Sequence, residues 1–115
     1  MDKLINLFRV LSDETRMRIL VLLYHRKLCV CQMQGILGES QPKISKHLGK
    51  LRDMKLVNDE RQEQFVFYSL NQDNRILGEV LKNIVLDIDD YSIIKKDIEG
   101  LQEAESFILK LGKGL

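Results

Sequence analysis

The stretch that decides the fold is Gly38-Glu39-Ser40-Gln41-Pro42-Lys43-Ile44-Ser45-Lys46-His47-Leu48-Gly49-Lys50-Leu51. Gly38 is a natural C-terminal stop for a helix, because a left-handed residue costs glycine nothing there. Pro42 fits only near a helix start, where its missing N–H removes a donor that has no partner anyway. The stretch therefore reads as a short turn from one helix into another. On a wheel of about 100° per residue, Ile44, Leu48 and Leu51 of the second helix share one arc, while Lys43, Lys46, His47 and Lys50 share another, turned outward.

A basic outer face on the second helix of such a pair is what insertion into a DNA major groove requires. Gln41, Ser45 and His47 carry short polar ends that can meet base edges, and Lys43, Lys46, Lys50 and Arg61 suit phosphates. Taken alone, a lysine-rich helix face is equally a solvated one. Two neighbouring features favour DNA. Leu56–Arg61 and Phe65–Leu70 read as strands around Gln62 and Glu63, a β-wing in outline. Charge is also uneven: residues 1–64 hold 12 Lys and Arg against 8 Asp and Glu, whereas residues 65–115 hold 6 against 9.

Outward from this centre the chain reads as helical. Asp2 opens a first helix with Leu4, Leu7, Phe8 and Leu11 on one face. Ser12, with Asp13 and Glu14 behind it, starts a second that runs to about Tyr24 and carries Arg16, Ile19, Leu20 and Leu23 in register. A short third helix buries Met33, Ile36 and Leu37. Asn71 or Asp73 starts a fifth through about Leu86. Asp89 or Asp90 caps a sixth with a stripe of Ile94, Ile98, Leu101, Ala104, Ile108 and Leu111. The expected fold is mainly α with a small β-hairpin wing, a winged helix-turn-helix in a single domain over 1–115. Residues 29–54 form the helix-turn-helix and 56–70 the wing. Residues 1–11 and 72–115 are dimerisation helices, placing helices 1 and 5/6 at a homodimer interface, because a dimer presents two reading helices to paired half-sites.

Just before the third helix stand the chain's only cysteines, Cys29 and Cys31. The longest apolar run, Ile19 to Tyr24, is far short of the roughly 20 residues of a membrane span, and no signal peptide opens the chain. The expected address is cytoplasmic, with no membrane partner. Thiols stay reduced there, so a C-x-C pair reads as metal-binding or redox-active, or else as two small core residues. Soft thiolates suit soft, thiophilic ions, and Arg26, Lys27 and a helix N-terminus are expected to favour ionised sulfurs. On a regular helix, side chains at i and i+2 point roughly 200° apart. One ion is then expected to join both sulfurs only if residues 28–32 unwind, a switch worth about 1 to 3 kcal/mol. Gly35 and Gly38 favour such fraying. His25 and His47, the only histidines, are too few for a histidine-rich zinc site. No nucleophile with a base partner, paired-carboxylate cleft or phosphate loop marks an enzyme.

Three stretches resemble the ArsR/SmtB family of winged-helix metal-sensing repressors, and its arsenic-responsive branch in particular. They are Leu11-Ser12-Asp13-Glu14-Thr15-Arg16-Met17-Arg18-Ile19-Leu20, Leu28-Cys29-Val30-Cys31, and Ser40-Gln41-Pro42-Lys43-Ile44-Ser45-Lys46-His47-Leu48. The wing ending Val66-Phe67-Tyr68-Ser69-Leu70 fits too, so the likeness covers about residues 3–71. It implies a homodimeric repressor that leaves double-stranded operator DNA when a metal or metalloid binds, with Cys29 and Cys31 as thiolate ligands. Members of that branch often have a third cysteine where this chain has Gln34, and a glycine and a basic residue where it has Glu63 and Gln64. Residues 71–115 lack the histidines with which other members bind zinc, and the extra N-terminal cysteines of lead and cadmium sensors are absent. The resemblance thus favours arsenite or antimonite as inducer. Rival readings are a thiol redox switch on the same scaffold, and a winged-helix module that binds protein instead of DNA.

Overall fold

In the computed structural model, which describes residues 1–111, helix ends fall where local chemistry satisfies the unpaired backbone groups. Helix α1 (Asp2–Leu11) begins with Asp2 in its first turn and not as its cap, which is Met1. Helix α2 (Glu14–His25) is capped one residue beyond the expected Ser12: the Asp13 carboxylate accepts the Arg16 N–H at 3.0 Å. Ser12 instead closes α1, its hydroxyl donating to the Arg9 carbonyl at 2.6 Å.

A two-residue strand β1 (Leu28–Cys29), unforeseen in the sequence, precedes α3 (Val30–Leu37). Gly38 ends α3 in the left-handed conformation at φ 68°, as the sequence predicts. Helix α4 (Gln41–Asp53) follows, with the Ser40 hydroxyl accepting the Lys43 N–H at 3.4 Å and Pro42 in the first turn. Strands β2 (Val57–Gln62) and β3 (Phe65–Leu70) form the wing, and β1 adds to its other edge in the antiparallel order β1-β3-β2. Leu28 lies opposite Tyr68 and Cys29 opposite Phe67, so the sheet fixes the first cysteine in extended backbone.

Helix α5 (Arg75–Leu86) is capped by Asn74, whose side chain accepts the Leu77 N–H at 3.0 Å, and not by Asn71 or Asp73. Asn71 makes a turn of its own, accepting the Asp73 N–H and donating to the Lys55 carbonyl. The expected sixth helix is two. A 3-10 turn at Ile88–Asp90 precedes α6 (Ser92–Glu99), and a second at Gly100–Glu103 separates it from α7 (Ala104–Leu111). Gly100, a poor helix former, stands at the break. The side chain of Leu111, the last of the expected stripe, lies outside the described residues.

The core gathers around α2, whose Ile19, Leu20, Val21, Leu22 and Leu23 are all buried. Ile44, Leu48 and Leu51 enter it from α4 and are fully buried, as the wheel requires. The α1 stripe divides: Leu7 and Leu11 are buried with Val10, while Phe8 is 49% exposed. Helix α6 is tied down by an ion pair in which Arg18 Nε and Nη2 donate to the two Asp97 oxygens at 2.7 and 2.8 Å. Arg18 Nη2 also donates to the Leu37 carbonyl at 3.2 Å, so one guanidinium joins α2, α6 and the end of α3. Helix α7 lies along α3, and a methyl group built on Gly35 would fall inside the Phe107 ring. Gly35 is therefore a close-packing point, and the cheap fraying expected of α3 is not what the structure presents.

Candidate functional site

Cys29 and Cys31 are both buried and free, and their sulfurs lie 2.8 Å apart. This overturns the expectation that α3 must unwind to bring them together. The 200° argument holds for two residues inside a helix, but Cys29 is the last residue of β1 and the N-cap of α3, at φ −90° and ψ 169°. Its side chain therefore swings back over the first turn, where Cys31 waits. The join is secured by Gln32, whose buried side-chain oxygen accepts the Cys29 N–H at 2.9 Å.

The sulfurs' charge state also departs from expectation. Burial, first, and then the hydrogen bond and charge of Cys29 push the Cys31 thiol up to about 12, against weaker opposing pulls from nearby backbone N–H groups. The expected cationic help is engaged elsewhere. Arg26 Nη2 donates to Glu105 at 3.2 Å, and the Lys27 ammonium lies 5.6 Å from the centre of the Phe67 ring. Cys31 is thus held as a protonated thiol in direct sulfur contact with Cys29.

The dithiol forms the inner end of a cleft of about 210 Å³. Val30, Phe65 and Val66 wall it, and the side chains of Gln34, Gln41 and Gln64 bring amides to it. Gln41 is the first residue of α4 and Gln64 belongs to the wing turn, so three separate elements meet over the sulfurs. Sequence reading singled out the cysteines, Gln34, Gln41 and Gln64 one by one but not Gln32, nor the cleft that gathers them, since neither follows from spacing along the chain. Among the described residues, no three His, Cys, Asp or Glu side chains gather as a metal site.

The predicted reading face falls into two groups. Lys43, Lys46, Lys50 and Arg61 are exposed, with Lys43 Nζ paired to Glu39 at 3.1 Å. Gln41 is exposed too, and its amide donates to the Ser45 hydroxyl at 2.8 Å. His47 is different. Predicted to turn outward, its side chain is only 12% exposed, with Nε2 4.0 Å from Asp13 and Nδ1 3.5 Å from Arg16 Nη1. Burial lowers its pKa below the ordinary histidine value, partly opposed by Asp13. Arg16 Nε in turn donates to the Val10 carbonyl at 2.8 Å, so His47 rests on a chain of contacts reaching α1. Arg52, which the sequence did not single out, joins the end of α4 to the wing through Asp59 at 3.3 Å.

Helices α2 to α4 carrying a basic exposed face, followed by a β-wing, define a winged helix-turn-helix regulator. Residues 13–59 match the family described as bacterial regulatory protein, arsR family. The chain is 48% identical over 67 residues to arsenic resistance transcriptional regulator ArsR2 of Pseudomonas putida, across 57% of this chain and 58% of that protein. It is 33% identical over 82 residues to the arsenical resistance operon repressor of Staphylococcus aureus, across 71% and 77%. The structure of reduced HlyU from Vibrio cholerae superposes with a TM-score of 0.67 at 30% identity, over 72% of this chain and 85% of that one. This chain belongs to the ArsR family. It spans little more than half the length of the Pseudomonas relative.

Proposed function

We propose that this chain is a metalloid-responsive repressor that binds operator DNA as a homodimer and releases it when trivalent arsenic or antimony joins Cys29 and Cys31. The observation that carries this reading is the sulfur pair, 2.8 Å apart, in a cleft shared with the reading helix and the wing. The two relatives, both regulators of arsenic resistance, point the same way.

The chemistry selects the guest. A divalent cation must release a free proton from Cys31, a thiol pushed up to about 12. A trivalent metalloid hydroxide does not. Each of two thiols gives its proton to a hydroxyl of the arsenic, two As–S bonds form as two As–O bonds break, and two waters leave with no net proton released. The third hydroxyl would stay on arsenic, and Gln34, which lines the same cleft, would be available to it. With sulfur bonds of about 2.3 Å, the zinc value, two ligands at right-angle to tetrahedral geometry lie about 3.3 to 3.8 Å apart. From 2.8 Å the pair therefore opens by about 0.5 to 1 Å, which moves the Cys29 edge of the sheet against α3 and fills the cleft beneath Gln41 and Gln64.

On the DNA side, Gln41 and Ser45 serve as base readers, and Lys43, Lys46, Lys50 and Arg61 as phosphate contacts. His47, turned inward, supports the helix instead of reading bases. Exposed Ile5 and Phe8 of α1 and Ile76 and Leu86 of α5 offer an apolar seam for the second protomer. No helix among the described residues is long and apolar enough to cross a membrane.

A duplex selected from random sequences with the reduced protein supplies the test. Arsenite releases it from the wild type, while Cys29→Ser and Cys31→Ser bind it equally well and ignore arsenite. Release from either variant at the wild-type arsenite concentration would remove the thiols from the sensor. The short sulfur contact also favours a second reading, oxidation of the pair to a disulfide. Attack on an oxidant needs a thiolate, which burial disfavours at Cys31, so the redox reading ranks second. Peroxide that releases DNA while arsenite does not would reverse that order.

A further inference from the structure

We propose that the mouth of the dithiol cleft is part of the operator-binding surface, so that a bound duplex shuts the cleft and inducer reaches the sulfurs only after the operator has left. This rests on the function proposed above and adds to it the order of events. Cys29 and Cys31 are 1% and 7% exposed, and the other cleft residues apart from Gln41 and Gln64 are half-buried. Gln41 and Gln64 alone among the lining residues are exposed, so the cleft opens beside them. One begins the reading helix and the other forms the wing turn, the two elements with which a winged helix straddles a duplex. A duplex contacting both spans the gap that a metalloid hydroxide must cross.

Gln41 and Gln64 thereby have two functions. In the free protein they frame the entrance. In the complex they face DNA, and the Gln41 amide gives up the Ser45 hydroxyl it donates to in the free protein. Inducer and operator are then competitors for one face in addition to favouring different arrangements of it. Competition has a kinetic signature that coupling at a distance lacks: inducer captures repressor already dissociated and does not hasten departure.

The experiment compares two ways of emptying a pre-formed complex of reduced protein and fluorescently labelled duplex, followed by stopped-flow anisotropy. In one arm excess unlabelled duplex traps free protein and reports the spontaneous dissociation rate. In the other, arsenite is raised in steps. The expected result is a release rate that rises to a plateau equal to the trap rate within a factor of two. Release more than fivefold faster than the trap, and still climbing with arsenite, would show metalloid entering the bound complex and would overturn the proposal. Uptake of arsenite by the free protein, counted as loss of two titratable thiols, is measured alongside. If uptake is normal and release outruns the trap, only the order of events falls. If free protein takes up no arsenite, the sensor function falls, and this inference with it.

Discussion

Two sulfur atoms and one imidazole carry most of the chemistry. The C-x-C pattern was legible because those were the only cysteines and no structural use for them was apparent. Their juxtaposition was not legible, because it depends on Cys29 being held extended opposite Phe67, a pairing between segments far apart in the chain. Their protonation was not legible either. Arg26 and Lys27 are close in sequence, but Glu105 and Phe67 decide where those cations point. His47 misled the wheel for a similar reason: helical spacing gives its angle, whereas Asp13 and Arg16 draw its ring inward. That placement has a consequence in pH. With its folded pKa depressed, His47 stays neutral while the unfolded chain takes up a proton near the ordinary value of about 6.5. The stability it contributes is therefore complete above that value and lost as pH falls through it toward the folded pKa. Urea midpoints should fall less between pH 7 and 5 for His47→Gln than for the wild type; parallel curves would show that the ring is not buried neutral.

At the level of elements, periodicity located α1 through α5 and strand β3 because each has an apolar face to bury, whereas β2, exposed beyond Val57, was legible only as the partner of β3 across a tight connection. It missed β1, which is too short to show a period, and it fused α6 with α7 because the stripe continues across the Gly100–Glu103 turn. The end of α4 shows how local backbone chemistry sets the wing. Lys55 adopts φ 62°, its N–H donating to the Arg52 carbonyl at 2.9 Å while the Leu56 N–H reaches back to Leu51 at 3.0 Å. This helix-ending motif normally uses glycine, since a side chain in the left-handed region costs about 1 to 2 kcal/mol. Lys55→Gly should raise the unfolding free energy by about 0.5 to 1 kcal/mol after glycine's greater unfolded-state freedom is counted. Chemical denaturation measures it directly, and a loss of stability would mean that the lysine makes a compensating contact elsewhere.

Across the whole molecule, the reading helix is linked to both ends of the chain. Through His47 and Arg16 it reaches the end of α1, and through α3 it meets Arg18, Asp97 and α7. The apolar residues left open on α1 and α5 are where a second copy completes the structure proposed here. Phe8→Glu places a charge in that seam and should convert a dimer to a monomer in analytical ultracentrifugation, with operator affinity lost in parallel. A variant that stays dimeric would place the seam elsewhere.

Beneath these expectations lies one claim, that two neighbouring thiols condense with a metalloid hydroxide and shed water, not protons. Calorimetric titration of the reduced protein with arsenite at pH 7, repeated in buffers of different ionisation enthalpy, counts the protons exchanged per site. The account predicts saturable binding with no net exchange, and release of protons when cadmium is substituted. Uptake of one or two protons per arsenite would mean that the sulfurs were ionised beforehand, and would contradict it.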